Sequence, residues 1–314
     1  MGALDRRFAA PVLRRGVLLA VLLLPVSCGG AAVGEHGAEG TPGVDDTSGS
    51  HIVHGEEGVG ADGGNGADGG NGADGLGYSD PGSVSGSGHL TSRELDLSGV
   101  TALVVGASFA VRVTIGEPER ATVRLDDNLT DLVDAVVRDG QLRLGLKPGA
   151  SVRNATLSAD VTVRHLDRLS SRGASEVTLA SELAGRTLQV DASGASRITG
   201  PVRVDRIQAT AAGGSTLALS GHVGRLDLSA AGSSRLWLPN LAVRDLDAEL
   251  SGASCAAVAV SDTLAARASG ASALRYRGAP RITRQQTSGV SSIGVDTSQP
   301  GNGGPLFFSH RCGA

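Results

Sequence analysis

Residues 207–236 read IQATAAGGSTLALSGHVGRLDLSAAGSSRL. Two copies of one pattern lie inside this stretch. Gly213-Gly214-Ser215 and Gly232-Ser233-Ser234 stand 19 residues apart, each preceded by alternating apolar and polar residues. Working outward, the Gly-x-Ser triplet recurs at Gly173, Gly194, Gly252, Gly270 and Gly289, with glycine steps of 21, 19, 19, 20, 18 and 19 residues. A fixed period near twenty marks a repeat architecture in which each copy is one coil stacked on the last.

The phase of the apolar residues defines the coil. Six residues before the glycines stand Leu188, Ile207, Leu226, Leu246, Leu264 and Thr283. Four before stand Val190, Ala209, Leu228, Ala248, Ala266 and Gln285, and two before stand Ala192, Ala211, Ala230, Leu250, Ala268 and Thr287. Polar residues such as Gln208, Asp227, Asp247 and Arg284 fill the odd offsets. After the glycine, Val177, Ile198, Leu217, Leu236, Ala256, Leu274 and Ile293 hold the fourth place, and the sixth holds Leu179, Leu219, Leu238, Val258 and Tyr276, with Gly200 the exception. Strict alternation predicts short half-buried strands, two or three to a coil, joined at tight corners. Glycine suits a corner because it accepts positive φ. The triplet serine shares the parity of the buried positions, which predicts a stacked column of hydroxyls bonded to backbone or to each other. A row of nucleophiles is the competing reading. It would need a base and an orienting group beside each serine, and no histidine recurs in phase.

The segments Ser193–Ser196, Ser251–Ser254 and Ser269–Ser272 (SGAS), Asn128-Leu129, Gly140–Leu144 (GQLRL) and Leu274–Pro280 (LRYRGAP) resemble the putative autotransporter adhesin, head GIN domain family, over about residues 90–297. The resemblance implies a right-handed β-solenoid, exported and adhesive, without catalytic residues.

Residues 89–168 lie outside the phased triplets but alternate as strands at Arg93–Leu97, Ala102–Val105, Phe109–Ile115, Arg120–Asp126, Leu132–Arg138, Gln141–Leu146 and Leu157–Arg164. They predict a β-rich N-terminal cap or a less regular first set of coils, because a solenoid needs atypical ends to close its strand edges. The repeats proper span 169–297, and residues 298–314 read as a flexible tail. With 2% aromatic residues the 314-residue chain lacks bulky core material, as thin coils of Leu, Val and Ala allow.

Residues 1–28 read as an export signal, with Arg6, Arg7, Arg14 and Arg15 ahead of the apolar run from Gly16 to Leu24. That run is too short for a comfortable transmembrane helix. Pro25-Val26-Ser27-Cys28 resembles a lipobox, with Pro25 in place of the usual leucine. It predicts acylation of Cys28 with palmitate-type chains and attachment to the outer face of the cytoplasmic membrane; plain secretion is the alternative. Cys255 and Cys312 are the remaining cysteines, and the sequence leaves open whether they pair. Residues 29–88 hold 21 glycines, ten acids and no Lys or Arg, a composition that predicts a disordered acidic linker. Within it, Gly63–Asp68 and Gly69–Asp74 match the start of a calcium-binding nonapeptide but lack its packing residue, and His51, His54, Glu56 and Glu57 form a weak set of ligands. Both read as spacer, so no metal or cofactor is expected.

Charge sums to +3 for residues 1–28, −10 for 29–88 and +3 for 89–314, a total of −4. The folded part is nearly balanced, which argues against nucleic acid as a partner. Trp237, the chain's one tryptophan, falls at an outward offset with Arg235 two residues before it. An aromatic on a flat β-face is a stacking platform for a sugar or peptide; packing beneath the Asn240–Asp245 connection is the alternative. The expected function is therefore a non-enzymatic, membrane-tethered binding or adhesion module with a glycan or protein ligand. A β-helical polysaccharide-active enzyme would group acids or bases around His165 or His222, and no such grouping is visible. A structural or regulatory envelope protein that binds another protein is the third reading.

Overall fold

The computed structural model describes residues 82–297. The chain divides into two units, and the second, Asp74–Ala314, holds all the described residues. The export signal, Cys28, the linker up to residue 81 and the tail from residue 298 lie outside the described residues.

The N-terminal part contains β1 (Ser83–Ser85), β2 (Leu90–Asp96), β3 (Ala102–Val105), β4 (Ala110–Ile115), β5 (Arg120–Asp126), β6 (Val133–Arg138), β7 (Gln141–Leu146), β8 (Ser151–Arg153) and β9 (Leu157–Val163). The repeats contain β10 (Arg168–Ser171), β11 (Glu176–Leu179), β12 (Leu183–Ala192), β13 (Arg197–Ala211), β14 (Thr216–Ala230), β15 (Arg235–Leu250), β16 (Cys255–Ala268), β17 (Ala273–Arg277), β18 (Arg281–Thr287) and β19 (Ser292–Val295).

From β10 to β19 every pairing is parallel and joins one coil to the next, so the molecule is a β-solenoid. Leu188, Ile207, Leu226, Leu246 and Leu264 stand in successive register. They form one column of a continuous apolar interior and are 0–2% exposed.

The triplet glycines line up one above another. The amides of Ala195, Gly214, Ser233, Ala253, Ala271 and Val290 each donate to the triplet glycine carbonyl one coil earlier, at 2.7–2.8 Å. The ladder therefore continues through the corner. Gly252 has φ 71°, and a Cβ there would lie 2.6 Å from the Gly232 carbonyl oxygen. Positive φ and backbone contact together exclude any side chain. The serines behave as expected: Ser234, Ser254 and Ser272 are 0–1% exposed. Each hydroxyl donates at 2.8 Å to the carbonyl three residues earlier, on Ala231, Ser251 and Ser269. The hydroxyl closes its own corner and satisfies a buried polar group.

Each full coil has three faces. In β13 the alternation of burial breaks at Gly200-Pro201 and again at Asp205-Arg206. Val202, Val204, Val223, Val243 and Val260 line the middle face, which the triplet-centred reading did not reach. Gly200 replaces the expected apolar residue because a Cβ would fall 2.4 Å from the Cβ of Leu179.

The N-terminal part is a cap that adds coils of its own. β3 and β4 continue the parallel stack below β10 and β11, and β7 and β9 lie below them. Antiparallel strands then close the stack: β6 on β7, β5 on β9, and β2 on β5. The corner between β3 and β4 carries a degenerate triplet shifted by one residue. Val105 aligns with Ser171 and Ala110 with Glu176, so Ala107 occupies the place of Gly173 and Phe109 that of Ser175. Ala107 adopts φ 55°, and Phe109 is fully buried.

Two expectations need correction. The fold starts before residue 89: β1 pairs with β8, and buried Asp126 accepts from the Gly88 and Thr156 amides, both at 2.7 Å. Serine-rich β1 carries no apolar alternation, so composition assigned it to the linker. Thr283 also leaves its assigned column. A bulge pairs Leu264 with Ile282 and Ala265 with Arg284, so Ile282 continues the leucine column. Ile282 is 45% exposed on this last rung.

Candidate binding surface

Leu236 and Leu238 on β15 point into the core, and their alternation turns Trp237 outward. The indole is 37% exposed and stands in register with Ala257 of the next coil. Arg235 is exposed on the same strand, in register with Thr216 on one side and Cys255 on the other. Arg275 follows Ala257 in the tryptophan column. Trp237 is therefore a partly exposed ring beside Arg235, whereas Cys255 and Ala257 of the next coil are 3% and 2% exposed. Cys255 is disulfide-bonded.

The face before the triplet corner is polar and internally neutralised. Asp227 and Asp247 stack in register, as their offsets predict. They do not stand as an isolated like-charge pair, because three arginines neutralise them: Arg206 and Arg284 flank the pair and Arg225 lies between. Arg206 Nε donates to Asp227 at 2.8 Å, Arg225 Nε to the same carboxylate at 2.8 Å, and Arg284 Nη2 to Asp247 at 2.5 Å. Arg225 Nη2 also approaches Asp247 at 3.8 Å. Farther along, Arg267 bridges Glu249 and Gln286 at 3.0 Å each. Half-exposed pairs of this kind contribute at most about 1 kcal/mol each. Their chemical effect is to commit the carboxylates to guanidinium partners.

Other charged groups are held similarly. Two hydrogen bonds from Arg203, at 2.8 and 3.2 Å, pull the Glu182 carboxyl below its ordinary pKa, with a smaller contribution from His222. The Thr263 hydroxyl, donating at 2.5 Å, does the same for Asp245. His165 lies 4.0 Å from Asp167. Among the described residues no three His, Cys, Asp or Glu side chains gather as a metal site. The triplet serines donate to backbone carbonyls and, apart from Ser291, are buried, as structural hydroxyls are. Cys28, the Gly63–Asp74 repeat and the His51–Glu57 cluster lie outside the described residues. No helix among the described residues is long and apolar enough to cross a membrane.

The model of the family described as "Putative auto-transporter adhesin, head GIN domain" matches residues 99–280. The chain belongs to this family. No curated protein matches it. Among solved structures, one described as a putative adhesin from Bacteroides fragilis NCTC 9343 is similar with a TM-score of 0.64 at 19% identity, covering 68% of this chain and 100% of that one. A second putative adhesin, from Parabacteroides distasonis ATCC 8503, has a TM-score of 0.56 at 21% identity, covering 68% and 99%. A third structure from the same strain, described as a putative lipid binding protein, has a TM-score of 0.52 at 16% identity, covering 68% and 99%. At these identities the likeness concerns the fold. Family membership supports an adhesion or binding module of the cell surface.

Proposed function

We propose that this chain is a non-enzymatic binding module, tethered to the outer face of the cytoplasmic membrane through Cys28, that holds a glycan or protein ligand against the Trp237 face. The observation that carries this reading is the partly exposed indole beside exposed Arg235 on one strand. Stacking on an indole recovers apolar contact on one face of a sugar ring or peptide, and an adjacent guanidinium supplies hydrogen bonds. The carboxylates on the polar face are occupied by arginines, which leaves them poorly suited to acid–base work. The acidic, glycine-rich stretch between Cys28 and the fold has the composition of a spacer and would reach roughly 40 Å.

A glycan and envelope-protein binding screen with wild type and Trp237→Ala tests the ligand site. The proposal expects binding that falls by about 1–3 kcal/mol in the variant. Ligands bound equally by both would remove Trp237 from the site, and turnover of a polysaccharide would replace the binding module with an enzyme. Metabolic labelling with a palmitate analogue tests the tether: wild type is labelled and Cys28→Ala is not. Equal labelling of both, or of neither, leaves plain secretion.

A further inference from the structure

We infer that a cleft where the cap meets the first repeat is a binding site for a phosphate monoester. The cleft holds about 570 Å³, a volume usual for small-molecule sites. Three parallel strands build it. β3 forms the floor, with β7 on one side and β10 on the other: Ala102 is in register with Gln141 and Arg168, and Val104 with Arg143 and Ser170. Arg143 and Lys147 line one wall, and Arg168 and Arg172 the other. The carboxylates that answer these cations stand on the strands outside the walls. Asp134 on β6 lies 3.3 Å from Arg143, and Asp191 on β12 lies 3.0 Å from Arg168. The floor strand carries no charge, and among the described residues no carboxylate pairs with Lys147 or Arg172.

Unanswered donors supply the second argument. Ser170, between Arg168 and Arg172, is 0% exposed, and its hydroxyl has no hydrogen-bond partner among the described residues. Buried hydroxyls are ordinarily paired, so this one marks a place for an acceptor. At the end of the floor stands the corner at Ala107, which also lines the cleft. The Ala107 and Ser108 amides donate to no group among the described residues, whereas the counterparts of Ser108 from Ala195 to Val290 all donate to the coil before. A phosphate monoester matches this set: it brings about two negative charges and three acceptor oxygens to two unpaired cations and their neighbouring donors. Guanidinium takes phosphate oxygens in pairs, and the lysine ammonium adds a point charge. A carboxylate, with one charge, would leave a cation unanswered. The group can come from a soluble phosphate ester or from a lipid headgroup. The site requires neither Trp237 nor the tether at Cys28.

The test uses the full-length chain carrying Cys28→Ala, which takes lipidation out of the reading. Glycerol 3-phosphate is titrated calorimetrically. Phosphatidylcholine vesicles with and without phosphatidic acid, which carries the same group on a lipid, are tested by flotation. Lys147→Ala and Arg172→Ala each remove an exposed cation of the cleft, and Arg281→Ala removes an exposed cation of the last coil. The expected result is binding of glycerol 3-phosphate that weakens at least about tenfold in Lys147→Ala and in Arg172→Ala and is unchanged in Arg281→Ala. Binding confined to phosphatidic acid vesicles, with the same losses, would support the site and assign its phosphate to a lipid. Absence of phosphate-dependent binding to either probe, or affinity that Lys147→Ala and Arg172→Ala leave unchanged, would overturn the inference. So would an equal loss in Arg281→Ala, the mark of diffuse attraction to a basic surface, or acetate binding as tightly as glycerol 3-phosphate.

Discussion

The repeats and the N-terminal cap share one core but obey different rules. In the repeats a residue's place is set by its counterpart one coil away: glycine on glycine, serine beside serine, leucine on leucine. In the cap, place is set by antiparallel pairing and by single contacts such as Asp126 with Gly88 and Thr156. A stacked column tolerates no insertion of volume, since each atom added on one rung meets backbone on the next. The cap is uneven: a Cβ on Gly99 would meet nothing within 4 Å, whereas one on Gly86 would lie 2.6 Å from the Asp126 carboxylate.

That contrast makes its strongest prediction at glycine. Gly252→Val forces a branched side chain into φ 71° against the Gly232 carbonyl and should cost more than about 4 kcal/mol, enough to prevent folding. Gly99→Ala, at φ 77° in open space, should cost about 1–2 kcal/mol from backbone strain alone. Comparable melting of the two variants would erase the distinction. Leu226→Asp buries an unpaired carboxylate in the leucine column and should also abolish the fold, judged by expression and circular dichroism.

Asp126→Ala probes the cap. It leaves two backbone amides without their acceptor and should cost about 3 kcal/mol. Hydrogen exchange should quicken around Gly88 and Thr156 while the Ala195–Ala271 corner amides stay protected; loosening of both regions would show that cap and repeats melt as one. Trp237→Ala should change stability by less than about 1 kcal/mol, because its side chain faces outward. Severe destabilisation would make the indole part of the packing and remove it as a platform.

The smallest expected effect is in acid. Hydrogen bonding holds the Asp245 carboxyl below its ordinary value of 3.8. A depressed folded pKa means that this stabilisation is fully present above about pH 4 and fades as the pH falls through the folded value. Thr263→Val should therefore lower stability slightly at neutral pH and flatten its fall below about pH 4. An unchanged acid profile would show that the Thr263 bond does little.

How far the sequence can be read follows from the same contrast. The triplet corners, the alternating columns and the outward turn of Trp237 were legible because one phase repeats down the stack. The middle face was not, because Gly200-Pro201 and Asp205-Arg206 reset the parity before Val202 and Ile207. The Ala107–Phe109 corner was hidden because alanine takes the glycine's place and phenylalanine the serine's. The neutralisation of Asp227 and Asp247 depends on Arg206 and Arg225 at a corner outside the counted offsets. It also uses Arg284, 37 residues from Asp247 and drawn in by the bulge at Thr283. No local pattern announces a contact of that kind.

The most direct test of the stacked-corner account is a crystal structure of the folded region with the Cα positions of Gly194, Gly213, Gly232, Gly252 and Gly270 measured in turn. The account predicts a single row with successive spacings of about 4.8 Å. Glycines scattered over different corners, or spacings that break between coils, would contradict it.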